Sequence, residues 1–180
     1  MTPIDPQIRA AVMQQAQGAV ALQVAFIAVA DGLFEALAAG PLDTAGLAAK
    51  LGLDAGYLTR WADAAYAFEY LDEGDGGWAL TAKARAFLKD APGTLMPFAV
   101  MANLTAHMAE RAAVHARTGH RPGEAVLEER EAIVPLFGPM MEASFAQLFA
   151  EQILPHVPVY AEIDARGGLA VDLGCGNGWY

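Results

Sequence analysis

The feature that most confines this chain is the run Ala19–Ala30, AVALQVAFIAVA, in which Gln23 is the one polar residue. Val20, Leu22, Val24, Phe26, Ile27 and Val29 make a helix that is apolar nearly all round, and such a helix must be covered on most sides. A bilayer is one possible cover, but this run has twelve residues, and a spanning helix needs about twenty. Upstream, Ile4, Ile8, Val12 and Ala16 lie four apart, the spacing of one helical face. Pro3 to Ala39 therefore reads as one or two helices. An N-terminal helix is not easily central in a small domain. The expected cover is a second subunit, with burial inside its own chain as the alternative.

Composition narrows the classes. The chain is 55% hydrophobic and 18% charged, enough to fill a core. Its net charge of −10 argues against a nucleic-acid partner, since phosphate binding needs clustered Lys and Arg. The same charge argues against an anionic membrane surface. Cys175 is the single cysteine, so no intrachain disulfide can form, and a reducing, cytoplasmic setting is expected. The N-terminus MTPIDPQIR places acids and prolines where a signal peptide would be basic.

Gly40-Pro41 breaks the first helical stretch. Thr44 then reads as the cap of a short helix to Leu51, with Leu47 and Leu51 inward. Gly52 ends it, and Asp54 caps a second helix carrying Tyr57, Leu58, Trp61, Ala65 and Phe68. Two short helices joined by a tight turn make a helix-turn-helix. After Leu71 come the turn DEGDGG, the short strand WALT and a helix from Thr81 to Leu88, so the unit reads as a winged helix with its wing tip at Glu73–Gly77. Trp61 and Trp78 read as core residues.

Pro92 to Arg117 reads as a second long helical stretch, with a break near Pro97. Met96, Val100, Leu104 and Met108 share a face. Thr118–Gly123 is a loop. Glu124–Gln152 reads as two helices broken at Pro135 and at Gly138-Pro139. The run Glu128–Glu131 reads as a solvated helix face. Val157–Arg166 is a last helix, stopped by Gly167-Gly168, and Leu169–Leu173 is a short apolar strand.

That strand runs into Asp172-Leu173-Gly174-Cys175-Gly176-Asn177-Gly178. Closely spaced glycines allow positive φ and let a ligand lie against bare backbone N–H groups. A dinucleotide fingerprint would need its third glycine one residue later, where Trp179 stands. A Walker loop would need a following Gly-Lys-Ser/Thr. Cys175 has no base near it in sequence, which argues against a nucleophilic role.

The pattern Asp-x-Gly-x-Gly-x-Gly resembles the first motif of class I S-adenosylmethionine-dependent methyltransferases. The order of long helix, winged helix, helical connector and VDLGCGNGW is similar to the members that carry an N-terminal winged-helix dimerisation domain, small-molecule O-methyltransferases among them. The stretch from Leu33 to Leu88 and the lead-in from Leu154 to Tyr180 carry this resemblance. It implies a mainly α fold in three parts. Residues 1–91 hold the N-terminal helix and winged-helix dimerisation domain. Residues 92–166 are helical connector bordering the acceptor pocket. Residues 167–180 open a Rossmann-like domain that is incomplete here.

The resemblance further implies methyl transfer from S-adenosylmethionine to a small-molecule acceptor, with oxygen the expected target, by a homodimer paired through the N-terminal helices and winged helix. Asp172, Gly174, Gly176 and Gly178 fall on the cofactor motif, and Cys175 and Asn177 on its variable positions. The acid that would hold the ribose hydroxyls lies about twenty residues past such glycines, beyond Tyr180. The 180 residues are therefore expected to be inactive alone, as the N-terminal part of a longer enzyme whose reading frame continues.

His107, His115, Met101 and Met108, on the helix that borders the acceptor pocket, are the substrate-side candidates. Either histidine could orient or deprotonate a hydroxyl, and the methionines could line a pliable apolar wall. The plainer reading makes them ordinary helix residues. No catalytic base is assigned, and three ligands at metal-binding spacing are not evident. Two rival functions remain: a non-catalytic winged-helix dimerisation module, and a winged-helix transcriptional regulator. The regulator is disfavoured because the recognition helix carries one base, Arg60, against Asp54 and Asp63, while the wing tip holds Glu73 and Asp75.

Overall fold

The N-terminal helical stretch divides at Gly32, which adopts φ 67° between α1 (Pro6–Ala30) and α2 (Leu33–Ala38) in a computed structural model that describes residues 4–121, 133–175 and 178. Asp5 caps α1 by accepting from the Gln7 N–H at 2.8 Å, and Pro6 takes the first helical position, where no N–H is needed. The chain forms two compact units, Met1–Gly123 and Glu124–Tyr180.

In the first unit α3 (Thr44–Leu51) and α4 (Ala55–Ala67) form the predicted helix-turn-helix. Asp43, not Thr44, caps α3: its carboxylate accepts from the Gly46 N–H at 2.7 Å. Thr44 is already helical, because Asp presents an acceptor of full charge to the helix N-terminus one residue earlier. Gly52 closes α3 in the left-handed region at φ 70°, and Asp54 caps α4 through the Tyr57 N–H at 2.7 Å, both as the sequence indicated.

The wing is an antiparallel hairpin of β1 (Leu71–Gly74) and β2 (Gly77–Leu80), turning at Asp75-Gly76. Its first strand takes in much of the segment expected to be turn. Leu42 adds a third edge: Leu42 and Trp78 exchange backbone hydrogen bonds of 2.9 and 3.3 Å. The following helix is shorter than expected, α5 (Ala82–Arg85), capped by Thr81. Residues to Leu95 form turns, and α6 runs unbroken from Met96 to His115. Pro97 lies in its first turn, where a missing N–H is harmless, so the expected break is absent.

The core of this unit is aromatic. Phe34, fully buried, has its ring centroid 6.3 Å from Trp61, 5.8 Å from Tyr70 and 6.2 Å from Phe87. Two polar handles on those rings fasten α1. The Trp61 indole N–H donates to the Val24 carbonyl and the Tyr70 hydroxyl donates to the Ala21 carbonyl, each at 3.1 Å. The α6 helix packs against α1. Only the C-terminal half of α1 is enclosed, with Val24, Ala25, Phe26 and Ala28 buried. The apolar run Ala19–Ala30 is thus covered largely within its own chain, the alternative reading, while Ile4, Ile8, Val12, Met13 and Val20 are exposed. At 25 residues α1 is also, by length and composition, long and apolar enough to cross a bilayer.

In the second unit α7 (Val134–Leu148) passes through Pro139 without ending. The helix was expected to break there; instead the next five residues, Phe149–Ile153, relax into a π turn, followed by a 3-10 turn at Leu154–His156. The expected helix in 124–132 and its acidic run lie outside the described residues. The last helix, α8 (Pro158–Ala165), ends as predicted: Gly167 takes φ 60° and the Gly168 N–H returns to the Ile163 carbonyl at 2.9 Å.

Candidate functional site

The expected strand Leu169–Leu173 carries no ladder. Leu169, Val171 and Leu173 are 85%, 72% and 93% exposed, and among the described residues no segment pairs with them. A strand exists only by hydrogen bonding to a neighbour, and the apolar side chains that would pack it need a covering layer. The mainly helical class and the winged helix are as expected; this one element is an open lead into the glycine loop.

The loop itself retains the backbone that its glycines predict. Gly174 has φ 93° and Gly178 φ 66°, and a Cβ built on either meets nothing within 4 Å. The Gly178 N–H donates to the Cys175 carbonyl at 3.0 Å, closing a tight turn. Positive φ demands glycine here, and the open space lets a ligand reach the backbone. Asp172 and Cys175 are exposed beside the turn. Gly176 and Asn177 lie outside the described residues.

The candidates on α6 do not converge on one face of exposure. His107 is buried, with Nδ1 3.9 Å from Glu110 Oε2. Met101 and Met108, seven residues apart and thus on one side of the helix, are 40% and 38% exposed. His115, in the last turn, sets its ring 6.4 Å from that of His120. His120 escaped the sequence reading, although the loop that holds it, TGHRPG, was recognised. Its signal was the acid-free stretch Arg111–Arg121, notable in so acidic a chain. Among the described residues no group of three or more His, Cys, Asp or Glu could hold a metal ion. In α4, Asp54 is committed to the helix cap and Arg60 is the one basic residue.

The family model for the O-methyltransferase dimerisation domain matches residues 13–90, from mid-α1 through the wing and α5. The sequence resemblance to methyltransferases bearing an N-terminal winged-helix dimerisation domain is thereby upheld. Among solved structures the chain is similar to CalO1, a methyltransferase in calicheamicin biosynthesis in its SAH-bound form. Identity is 26% and the TM-score 0.55, over 98% of this chain and 55% of that one. PigF with SAH matches at 22% identity and a TM-score of 0.49, over 93% of this chain and 58% of that one. No curated protein matches the chain at a significant level. The chain thus spans little more than half the length of these two structures.

Proposed function

We propose that this chain supplies the dimerisation domain, the connector helices and the first half of the cofactor loop of an S-adenosylmethionine-dependent methyltransferase that acts on a small molecule, at oxygen, as a cytoplasmic homodimer. The observation that carries the reading is the match of residues 13–90 to the O-methyltransferase dimerisation-domain family, followed in the chain by the glycine loop. The CalO1 and PigF structures hold SAH, the product of that cofactor.

The residues of the loop suit such a ligand. S-adenosylmethionine carries a sulfonium methyl, an ammonium and a carboxylate, and no phosphate. Gly174 and Gly178 leave bare backbone for its carboxylate and ribose, and the Asp172 carboxylate suits its ammonium. When bound, the cofactor supplies an electrophilic methyl for in-line displacement. The chain's own part is positioning, which this chemistry needs foremost. Met101, Met108, His107 and His115 are the proposed acceptor-side residues, with the histidines able to orient a hydroxyl.

The exposed stripe Ile4, Ile8, Val12, Met13 and Val20 supports pairing of two copies through α1, for it is an apolar surface that the described residues leave uncovered. These 180 residues alone are proposed to be inactive, since they match about half of an SAH-bound enzyme and their lead-in to the glycine loop is unpaired. Transfer of a labelled methyl group by the isolated 180 residues would overturn that statement.

The test of the cofactor assignment is an SAH titration of the full-length protein. Replacing Asp172 by Asn removes a charge-assisted bond and should weaken SAH by about tenfold or more. Equal affinity in the variant would remove Asp172 from the site, and no SAH binding by the wild type would remove the site itself.

A further inference from the structure

The end of α6 concentrates positive charge in a chain that is otherwise acidic. Between Glu110 and Glu124 there is no Asp or Glu, and the eleven residues Arg111–Arg121 hold three of the eleven Lys and Arg and two of the four His. The fold gathers part of this charge into a knuckle. The Thr118 and Gly119 N–H groups return to the His115 carbonyl at 3.0 and 2.9 Å, and Gly119 takes φ 71°. The chain reverses there, the His120 N–H donates to Thr118 Oγ1 at 3.4 Å, and the His120 ring comes back to 6.4 Å from that of His115.

Arg117 and Arg121 bracket this turn. Both are exposed, and among the described residues neither meets a carboxylate. The carbonyl end of a helix favours cations, which explains one of them. It does not explain two guanidinium groups and two imidazoles within seven residues, which repel one another once protonated.

We infer that the turn Arg117–Arg121, with His115, is an anion-binding knuckle for a ligand of the phosphate class. Two guanidinium forks and two imidazoles offer more donors than the two oxygens of a carboxylate can accept, whereas a phosphate dianion presents three or four. The ligand chemistry is that of inorganic phosphate or a phosphomonoester. It differs from that of S-adenosylmethionine, which has no phosphate, so the inference stands independently of the methyl-transfer reading.

The experiment is a titration of the 180-residue protein with inorganic phosphate at low ionic strength, followed by NMR of the His115 and His120 ring protons. The expected result is saturable shifts at both rings. In the double variant Arg117→Gln/Arg121→Gln the dissociation constant should rise at least about fivefold, the effect of losing one or two charge-assisted bonds. The control Arg60→Gln, a lone base on α4, should leave the wild-type constant unchanged. A phosphomonoester such as phenyl phosphate, if it binds more tightly than inorganic phosphate, assigns the site to an esterified ligand; equal binding assigns it to free phosphate. Shifts that never saturate, or an unchanged constant in the double variant, overturn the proposal.

Discussion

Gly77 is where a single methyl group should do most harm. It opens β2 at φ 131°, and a Cβ placed there would lie 2.3 Å from the Leu42 carbonyl carbon, 2.4 Å from the Asp43 nitrogen and 2.5 Å from the Leu42 oxygen. All three atoms are backbone, so no rotamer change relieves the clash. Gly77→Ala must therefore push the Leu42–Asp43 segment off the wing. That breaks the two Leu42–Trp78 hydrogen bonds, each worth about 1 kcal/mol net. It also disturbs the Asp43 cap of α3, worth about 1 kcal/mol. The left-handed backbone adds roughly 1–2 kcal/mol for any non-glycine residue. Together these terms reach about 4 kcal/mol, a large share of a typical domain's stability.

Gly76 provides the internal control. It has φ 94°, yet a Cβ there meets nothing within 4 Å, so Gly76→Ala should lose only the backbone term of about 1–2 kcal/mol. Urea unfolding followed by far-UV circular dichroism, at one fixed protein concentration because the domain is proposed to pair, would read both. Gly77→Ala should lose about 2–3 kcal/mol more than Gly76→Ala. Equal midpoints for the two variants would refute the argument that Leu42 and Asp43 are held against the wing.

Other positions give sharper single readings. Phe34→Ala empties the centre of the aromatic cluster and should lower stability by about 3–5 kcal/mol, read by the same denaturation. Glu69 adopts φ 61°, so Glu69→Gly should raise the urea midpoint, by about 0.5–1 kcal/mol of stability. Asp31 has its carboxyl raised above the usual range by burial. The unfolded chain therefore releases that proton first, and stability falls as pH rises from the unfolded value through the folded one; Asp31→Asn should stabilise at pH 7 relative to wild type and lose this advantage at pH 3, in paired thermal melts. The double substitution Ile8→Asp/Val12→Asp charges the open face of α1 and should convert a dimer to monomer in light scattering while the helical circular dichroism persists; a dimer of unchanged affinity would place the seam elsewhere.

The local grammar of the winged helix was legible in the sequence because short-range chemistry decides it. Gly52 and Asp54 end and begin their helices through contacts within four residues, and Gly167 stops α8 in the same way. The glycine loop was legible for a similar reason, since positive φ at Gly174 and Gly178 is a property of glycine itself. Proline was misread where helix position mattered. Pro97 sits in a first turn and ends nothing, and Pro139 is carried within α7 by the helix around it.

What the sequence by itself determined was the order of most elements and the turns at their ends, which follow from local propensity, spacing and caps. Only the tertiary structure decided which half of α1 is enclosed, because that depends on Trp61 and Tyr70 reaching the Val24 and Ala21 carbonyls from distant positions. It also decided that His107 is buried while Met101 and Met108 face outward, and that His120 returns to His115. The lead-in Leu169–Leu173 shows the limit of pattern most clearly: its residues favour a strand, but a strand is a relation between two segments, and one segment alone cannot satisfy it.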